Sequence, residues 1–155
     1  MQAAKIGGKT ADIEKAAEAV VKPGLLKLGL ITDATGEQFR TWYTHGICHW
    51  IGMDVHDVGD YQKPLAAGMA FTIEPGIYVR PQALDNLEDT PENRTFKEKV
   101  ASAVEKYKGM GVRIEDSFLL TSNGLKRLSE TTPRTIEEIE RYLKTSHASA
   151  PTASR

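Results

Sequence analysis

The chain is 155 residues long, 40% hydrophobic and 26% charged, with 20 basic and 21 acidic residues and a formal net charge of -1. This is a one-domain length able to bury one substantial core, and the balanced charge excludes the electrostatic footprint that nucleic acid or an anionic membrane would require. With Cys48 as its one cysteine the chain has no internal disulfide, and no apolar run reaches the length of a membrane span or a signal-peptide core, so a cytoplasmic location is expected.

Ile13, Ala16, Ala17, Val20 and Val21 recur at helical spacing from Ala11 to Val21 behind Thr10, which predicts an amphipathic helix capped by that threonine. Pro23-Gly24 interrupts it, and Leu25, Leu26 and Leu28 carry the apolar face toward a turn beginning at Gly29. Thr35-Gly-Glu-Gln38 has the pattern of a capping box before Phe39, Trp42 and Tyr43, predicting a second, short helix. Met69 to Val79 is rich in β-branched and aromatic residues around a Glu74-Pro75-Gly76 break and reads as two strand pieces, with Phe71 and Ile73 on one face and Thr72 and Glu74 on the other.

Residues 82–95 are polar, a surface excursion ending in a Thr90 cap and Pro91 at a helix start. Phe96, Val100, Val104 and Tyr107 form the stripe of that helix, which Gly109 ends. Gly111 to Thr121 reads as one strand, with Val112 and Ile114 opposite Arg113 and Glu115. Ser122-Asn123-Gly124 then turns into Leu125 to Ser129, through the positive φ that Asn-Gly tolerates. Thr135-Ile-Glu-Glu138 caps a last helix that points Ile136, Ile139, Tyr142 and Leu143 inward. One domain is expected over residues 1–145, with a disordered tail over 146–155.

The chemistry concentrates in His45 to Tyr61, which holds three of the four histidines and glycines at 46, 52 and 59 that let the backbone bend. Each candidate has a plain structural reading. Glu74 and Glu115 taken singly are solvent-facing strand residues, His49 beside Trp50 is a core histidine, His56 between Asp54 and Asp57 is a surface imidazole, and Arg113 pairs with Glu115 across one strand face. Asp54, Asp57 and Asp60 are either turn residues or supports that orient ligands without binding metal themselves. Taken together, one imidazole and two carboxylates from different segments make a nitrogen and oxygen ligand set for Mn²⁺, Zn²⁺ or Co²⁺. His45 and His56 then stand ready to polarise a carbonyl or shuttle a proton.

His45-Gly-x-x-His49-Trp-x-Gly-x-Asp-Val-His56-Asp-Val-Gly, Thr72-Ile-Glu74-Pro-Gly-Ile-Tyr78 and Gly111-Val-Arg113-Ile-Glu115-Asp116 resemble, in order, three motifs of the Xaa-Pro aminopeptidase (aminopeptidase P) and prolidase group. These belong to the metallopeptidases of the pita-bread fold. The resemblance implies an α+β architecture, the C-terminal half of that fold, with a curved antiparallel sheet and helices packed on one face. It implies that His49 and Glu74 bind one metal, that Glu115 bridges two, and that Arg113 orients the carboxylates without binding metal itself. His45 and His56 match substrate-contacting histidines, and His56 also stabilises the tetrahedral charge. The implied reaction is removal of the residue preceding proline by metal-activated hydroxide, with Glu74 taking the proton from water. The complete site would hold two divalent cations, Mn²⁺ first, with Zn²⁺ or Co²⁺ as alternatives, and a proline-containing peptide.

The family places two further metal-binding aspartates on strands before the histidine motif. Asp12 and Asp33 are the earlier aspartates here, and a helix start and a turn are the wrong settings for them. The expectation is therefore a catalytic half that works with an upstream half or as a homo-oligomer. Alternatives are a non-catalytic module that keeps the ligands, or a dipeptidase of prolidase type in the full-length parent. Cys48 receives no role.

Overall fold

The computed structural model describes residues 2–148. Helix α1 runs over Thr10–Leu28, α2 over Pro91–Tyr107 and α3 over Ile136–Ala148, and the strands are β1 (Ala70–Ile73), β2 (Gly76–Tyr78), β3 (Gly111–Arg113), β4 (Asp116–Thr121) and β5 (Gly124–Arg127). All pairings are antiparallel: a three-stranded sheet in the order β1-β4-β5 and a two-stranded sheet of β2 and β3.

The two sheets are parts of one bent ladder. Ile73 pairs with Asp116 and Gly76 with Arg113, so carrying the register through the break sets Glu74 opposite Glu115 and Pro75 opposite Ile114. Gly111 to Thr121, expected as one strand, is thus two. Proline has no N–H to donate to a rung, and the interruption at Glu74-Pro75 is matched on the partner strand at Ile114-Glu115.

Residues 47–51 lie along the other edge of β1: Ile51 N–H donates to Ala70, Thr72 N–H to His49 and Glu74 N–H to Ile47, at 2.8–3.0 Å. This places the histidine stretch directly beside the bend. The core beneath joins Phe71 and Phe118 of the ladder to Ile13 and Leu25 of α1, Phe39, Trp42 and Tyr43, and Phe96, Val100 and Val104 of α2. The stripe and the Thr90 cap expected for α2 are both present, the cap accepting from Asn93 N–H at 3.2 Å, and Gly109 follows with φ of 76°.

Several local expectations are corrected. Helix α1 continues through Pro23 to Leu28 because Leu25, 2% exposed, anchors the last turns in the core; the helix ends at Gly29, with φ of 75°. Thr10 does not cap it. Lys9 is the N-cap residue, its N–H bonded to Asp12 at 2.8 Å, while the Thr10 hydroxyl donates to Tyr61 O. Of the expected stripe Ile13 alone is buried, and Val20 and Ala16 remain exposed along an open apolar groove. The Thr35 to Gln38 capping box does not form, because the Gln38 side chain accepts from the N–H groups of Thr32 and Asp33. The chain makes one short 3-10 turn there, over Gln38–Thr41.

In the β4–β5 hairpin the positive φ belongs to Gly124 alone, at 119°, and Asn123 stays in ordinary backbone space. The reciprocal Thr135–Glu138 cap of α3 is present, but Ile136, Tyr142 and Leu143 are 73%, 59% and 49% exposed instead of inward. That helix also extends three residues into the expected tail, to Ala148; the remainder of the tail lies outside the described residues.

Candidate metal centre

The bend gathers the sequence's candidates. His49 Nε2 lies 3.4 Å from Glu74 Oε1 and 3.8 Å from Glu115 Oε1, and donor atoms of the three residues all fall within 4.8 Å of one another. Glu74 is buried and His49 nearly so, whereas the Glu115 side chain is 42% exposed. The group is therefore open on the Glu115 side.

The tautomer of His49 follows from its neighbours. Nδ1 sits 3.1 Å from Trp50 O; a carbonyl only accepts, so in the neutral ring Nδ1 carries the proton and Nε2 turns its lone pair toward the carboxylates. Three lone-pair donors converge here, and an imidazole with two carboxylates could hold a divalent cation. A second group ties the ligands together. The Thr72 hydroxyl accepts from His49 N–H at 3.1 Å and donates to Glu74 Oε1 at 3.2 Å, which aims both residues from one point. Arg113 Nη1 donates to Glu74 Oε2 at 3.3 Å, so it reaches across the ladder instead of pairing along its own strand.

The histidines divide. The His56 ring stands 4.3 Å from that of His49 at 59°, exposed on a loop that Asp57 folds by accepting from Met53 N–H and Val58 N–H. His45 instead stacks on Tyr43 at 5.7 Å and lies 3.2 Å, through Nε2, from the Tyr78 hydroxyl. The glycines of this stretch, expected to let the backbone bend, do not adopt positive φ at Gly46, Gly52 or Gly59. Gly52 and Gly59 are required by close approach: a Cβ at Gly59 would lie 2.0 Å from Trp50 Cδ1. Similarly, a Cβ at Gly76 would fall 2.6 Å from His45 Nε2.

Thr72 and Tyr78 are not singled out by the sequence. Thr72 shares the strand face of Glu74, and that alternation is the available signal; Tyr78 meets His45 across a fold of the chain that no local pattern encodes. Asp12 and Asp33 are occupied elsewhere, Asp12 at the start of α1 and Asp33 with the N–H and hydroxyl of Thr35. Cys48 is a half-buried free thiol, and burial, followed by the charges of Glu14 and Glu74, pushes its pKa up to about 11.

A bent antiparallel ladder that brings one histidine and two glutamates together offers a nitrogen and oxygen donor set able to hold a divalent cation. Comparison with known proteins makes this specific: residues 1–122 match the model of metallopeptidase family M24, and the chain belongs to that family. It is 39% identical over 130 residues to an Xaa-Pro aminopeptidase of Haemophilus influenzae, covering 81% of this chain and 26% of that protein. It superposes on the aminopeptidase PepP of Pseudomonas aeruginosa with a TM-score of 0.77 and 34% identity, over 95% of this chain and 32% of the other. Against E. coli aminopeptidase P with the inhibitor Pro-Leu the TM-score is 0.69 at 29% identity, over 93% and 31%. The α+β, pita-bread architecture is shared with these structures. The chain spans between a quarter and a third of the length of these relatives. Among the described residues, no helix is long and apolar enough to cross a membrane.

Proposed function

We propose that this chain supplies the His49, Glu74 and Glu115 ligands of a metalloaminopeptidase that removes the N-terminal residue from Xaa-Pro peptides. The observation that carries the reading is the convergence of the His49 Nε2 lone pair with two carboxylates that face each other across the ladder. A divalent cation held there, Mn²⁺ foremost, would polarise the scissile carbonyl and make water acidic enough to attack at neutral pH.

The remaining work falls to side chains. Glu74 takes the proton of the attacking water, and Arg113 holds the other oxygen of that carboxylate so that one lone pair faces the substrate. His56, exposed beside His49, donates to the carbonyl oxygen as negative charge develops on it. His45, set by Tyr43 and Tyr78, borders the path of the peptide on the β2 side of the bend. The names of the relatives support a proline-containing substrate, and the Pro-Leu inhibitor of the E. coli structure is of that chemistry.

The test is calorimetric titration of the chain with Mn²⁺, together with hydrolysis of an Xaa-Pro tripeptide. Uptake that is lost in Glu115→Gln and His49→Ala, with turnover lost in Glu74→Gln, supports the reading. Uptake unaffected by either ligand substitution removes the metal centre. Uptake without turnover by the chain, alone or mixed with the remaining portion of a relative's catalytic domain, leaves a ligand-bearing module that is not a catalyst.

A further inference from the structure

The extended segment 47–51 beside β1 is held by more than its backbone bonds to that strand. In the hydrogen-bonded rungs of a regular antiparallel pair, which alternate with open ones, the two facing residues exchange both backbone bonds. At the rung of Ile47 and Glu74 one is made, Glu74 N–H donating to Ile47 O at 2.8 Å. The return bond is replaced. Ile47 N–H donates instead to the Glu14 carboxylate of α1, Oε2, at 3.1 Å. Glu14 is 33 residues away in sequence, and its other oxygen is gripped by Arg40 Nη1 at 3.1 Å.

Arg40 is itself fixed. Its Nη2 donates to Glu18 at 2.9 Å, its guanidinium lies 4.5 Å from the centre of the Phe39 ring, and Phe39 is fully buried. Glu14 and Glu18, one helical turn apart on α1, thus share Arg40, but only Glu14 also reaches the extended segment. Its carboxylate is the link between the rigid helix and the peptide that precedes both Cys48 and His49.

From this geometry we propose that Glu14 is a positioning residue for the metal centre, acting through the Ile47 peptide on the two ligands that flank it, His49 along the segment and Glu74 across the rung. The inference rests on the metal-centre reading above for its consequence, though the strap itself exists without metal. A carboxylate accepting from a backbone N–H forms a charge-assisted bond of more than ordinary strength, and partners that orient ligands typically change metal affinity ten- to a hundredfold when removed.

Three variants of the full chain separate this from general loosening. Glu14→Ala removes the strap and one Arg40 contact; Glu14→Gln keeps an acceptor for Ile47 N–H; Glu18→Ala removes the matching Arg40 contact and leaves Ile47 untouched. Two readouts are taken: amide hydrogen exchange at Ile47 without metal, and the Mn²⁺ dissociation constant. The expected result is faster Ile47 exchange in Glu14→Ala than in Glu18→Ala, Mn²⁺ affinity about tenfold weaker in Glu14→Ala, and Glu14→Gln and Glu18→Ala both within about twofold of the parent. Equal exchange in the two alanine variants overturns the strap whatever the metal does. Equal loss of Mn²⁺ affinity in the two reduces Glu14 to a stability residue. A parent chain that takes up no Mn²⁺ defeats the metal-centre reading, and the positioning role falls with it, while Ile47 exchange still decides the strap.

Discussion

Glu74 and Glu115 stand opposite one another at the interruption of a single bent ladder, each with a carboxylate oxygen within 4 Å of His49 Nε2. Like charges directly opposite on paired strands are destabilising, and with Arg113 reaching Glu74 alone the proposed cation would relieve the remaining cost at Glu115.

Stability and ligation should therefore trade off at Glu115. Saturating Mn²⁺ raises the unfolding midpoint of the parent chain; at a hundredfold excess over the dissociation constant the stabilisation is about 2.7 kcal/mol. Glu115→Gln abolishes that rise, and its metal-free midpoint is no lower than the parent's. Thermal unfolding with and without Mn²⁺ reads both effects, and a lower metal-free midpoint in the variant contradicts the repulsion argument.

Gly59→Ala should destabilise without touching a ligand. The added Cβ would lie 2.0 Å from the Trp50 ring, whose indole is 7% exposed and packs edge-on to Phe71 at 6.0 Å. Overpacking of this kind costs about 1–3 kcal/mol. Urea unfolding measures it, and a paired Gly46→Ala, whose Cβ meets nothing within 4 Å, should change stability much less.

The Asp116 carboxylate clamps the end of the sheet to the approach of α3. It accepts from Ser129 Oγ at 2.6 Å, Arg127 Nη1 at 3.2 Å and Arg134 Nη1 at 2.7 Å. Burial alone would raise its pKa, but these bonds and the Arg127 charge together hold it below the usual carboxylate range. Asp116→Ala leaves two arginines without their shared anion. Allowing for their partial exposure, the loss is about 2 kcal/mol, read as a lower urea midpoint.

Acid should fray α3 ahead of the rest of the chain. The N–H groups of Thr135 and Arg134 hold the Glu138 pKa below the usual glutamate value. A depressed folded pKa makes the stabilising contribution complete above the unfolded pKa and removes it as pH falls through the folded one. The Thr135 and Arg134 amides should thus lose exchange protection together on acidification, at a pH below the ordinary glutamate range. Glu138→Gln should remove the pH dependence; its persistence there would refute the assignment.

The sequence alone located helices α1 and α2, though not the cap of α1 or its run through Pro23, together with the two strand pieces either side of Glu74-Pro75 and the β4–β5 turn, and it nominated the residues of the candidate centre. These are read from periodicity, caps and turn chemistry, or from three motifs that each lie within a short stretch. What it could not determine was everything set by partners far along the chain. Gly111 to Thr121 reads as one strand because nothing within it marks the bend that Pro75, more than thirty residues earlier, imposes across the ladder. The inward stripe of α3 was inferred from amphipathicity, which states that a face is apolar but not what covers it. The facing of Glu74 and Glu115, the hold of Arg113 on Glu74, and the Glu14 carboxylate in place of one backbone bond of a rung all join residues 33 to 41 positions apart. Tertiary register decided them, because a hydrogen bond is a condition on distance in space, and local propensity carries no information about which distant donor will arrive there.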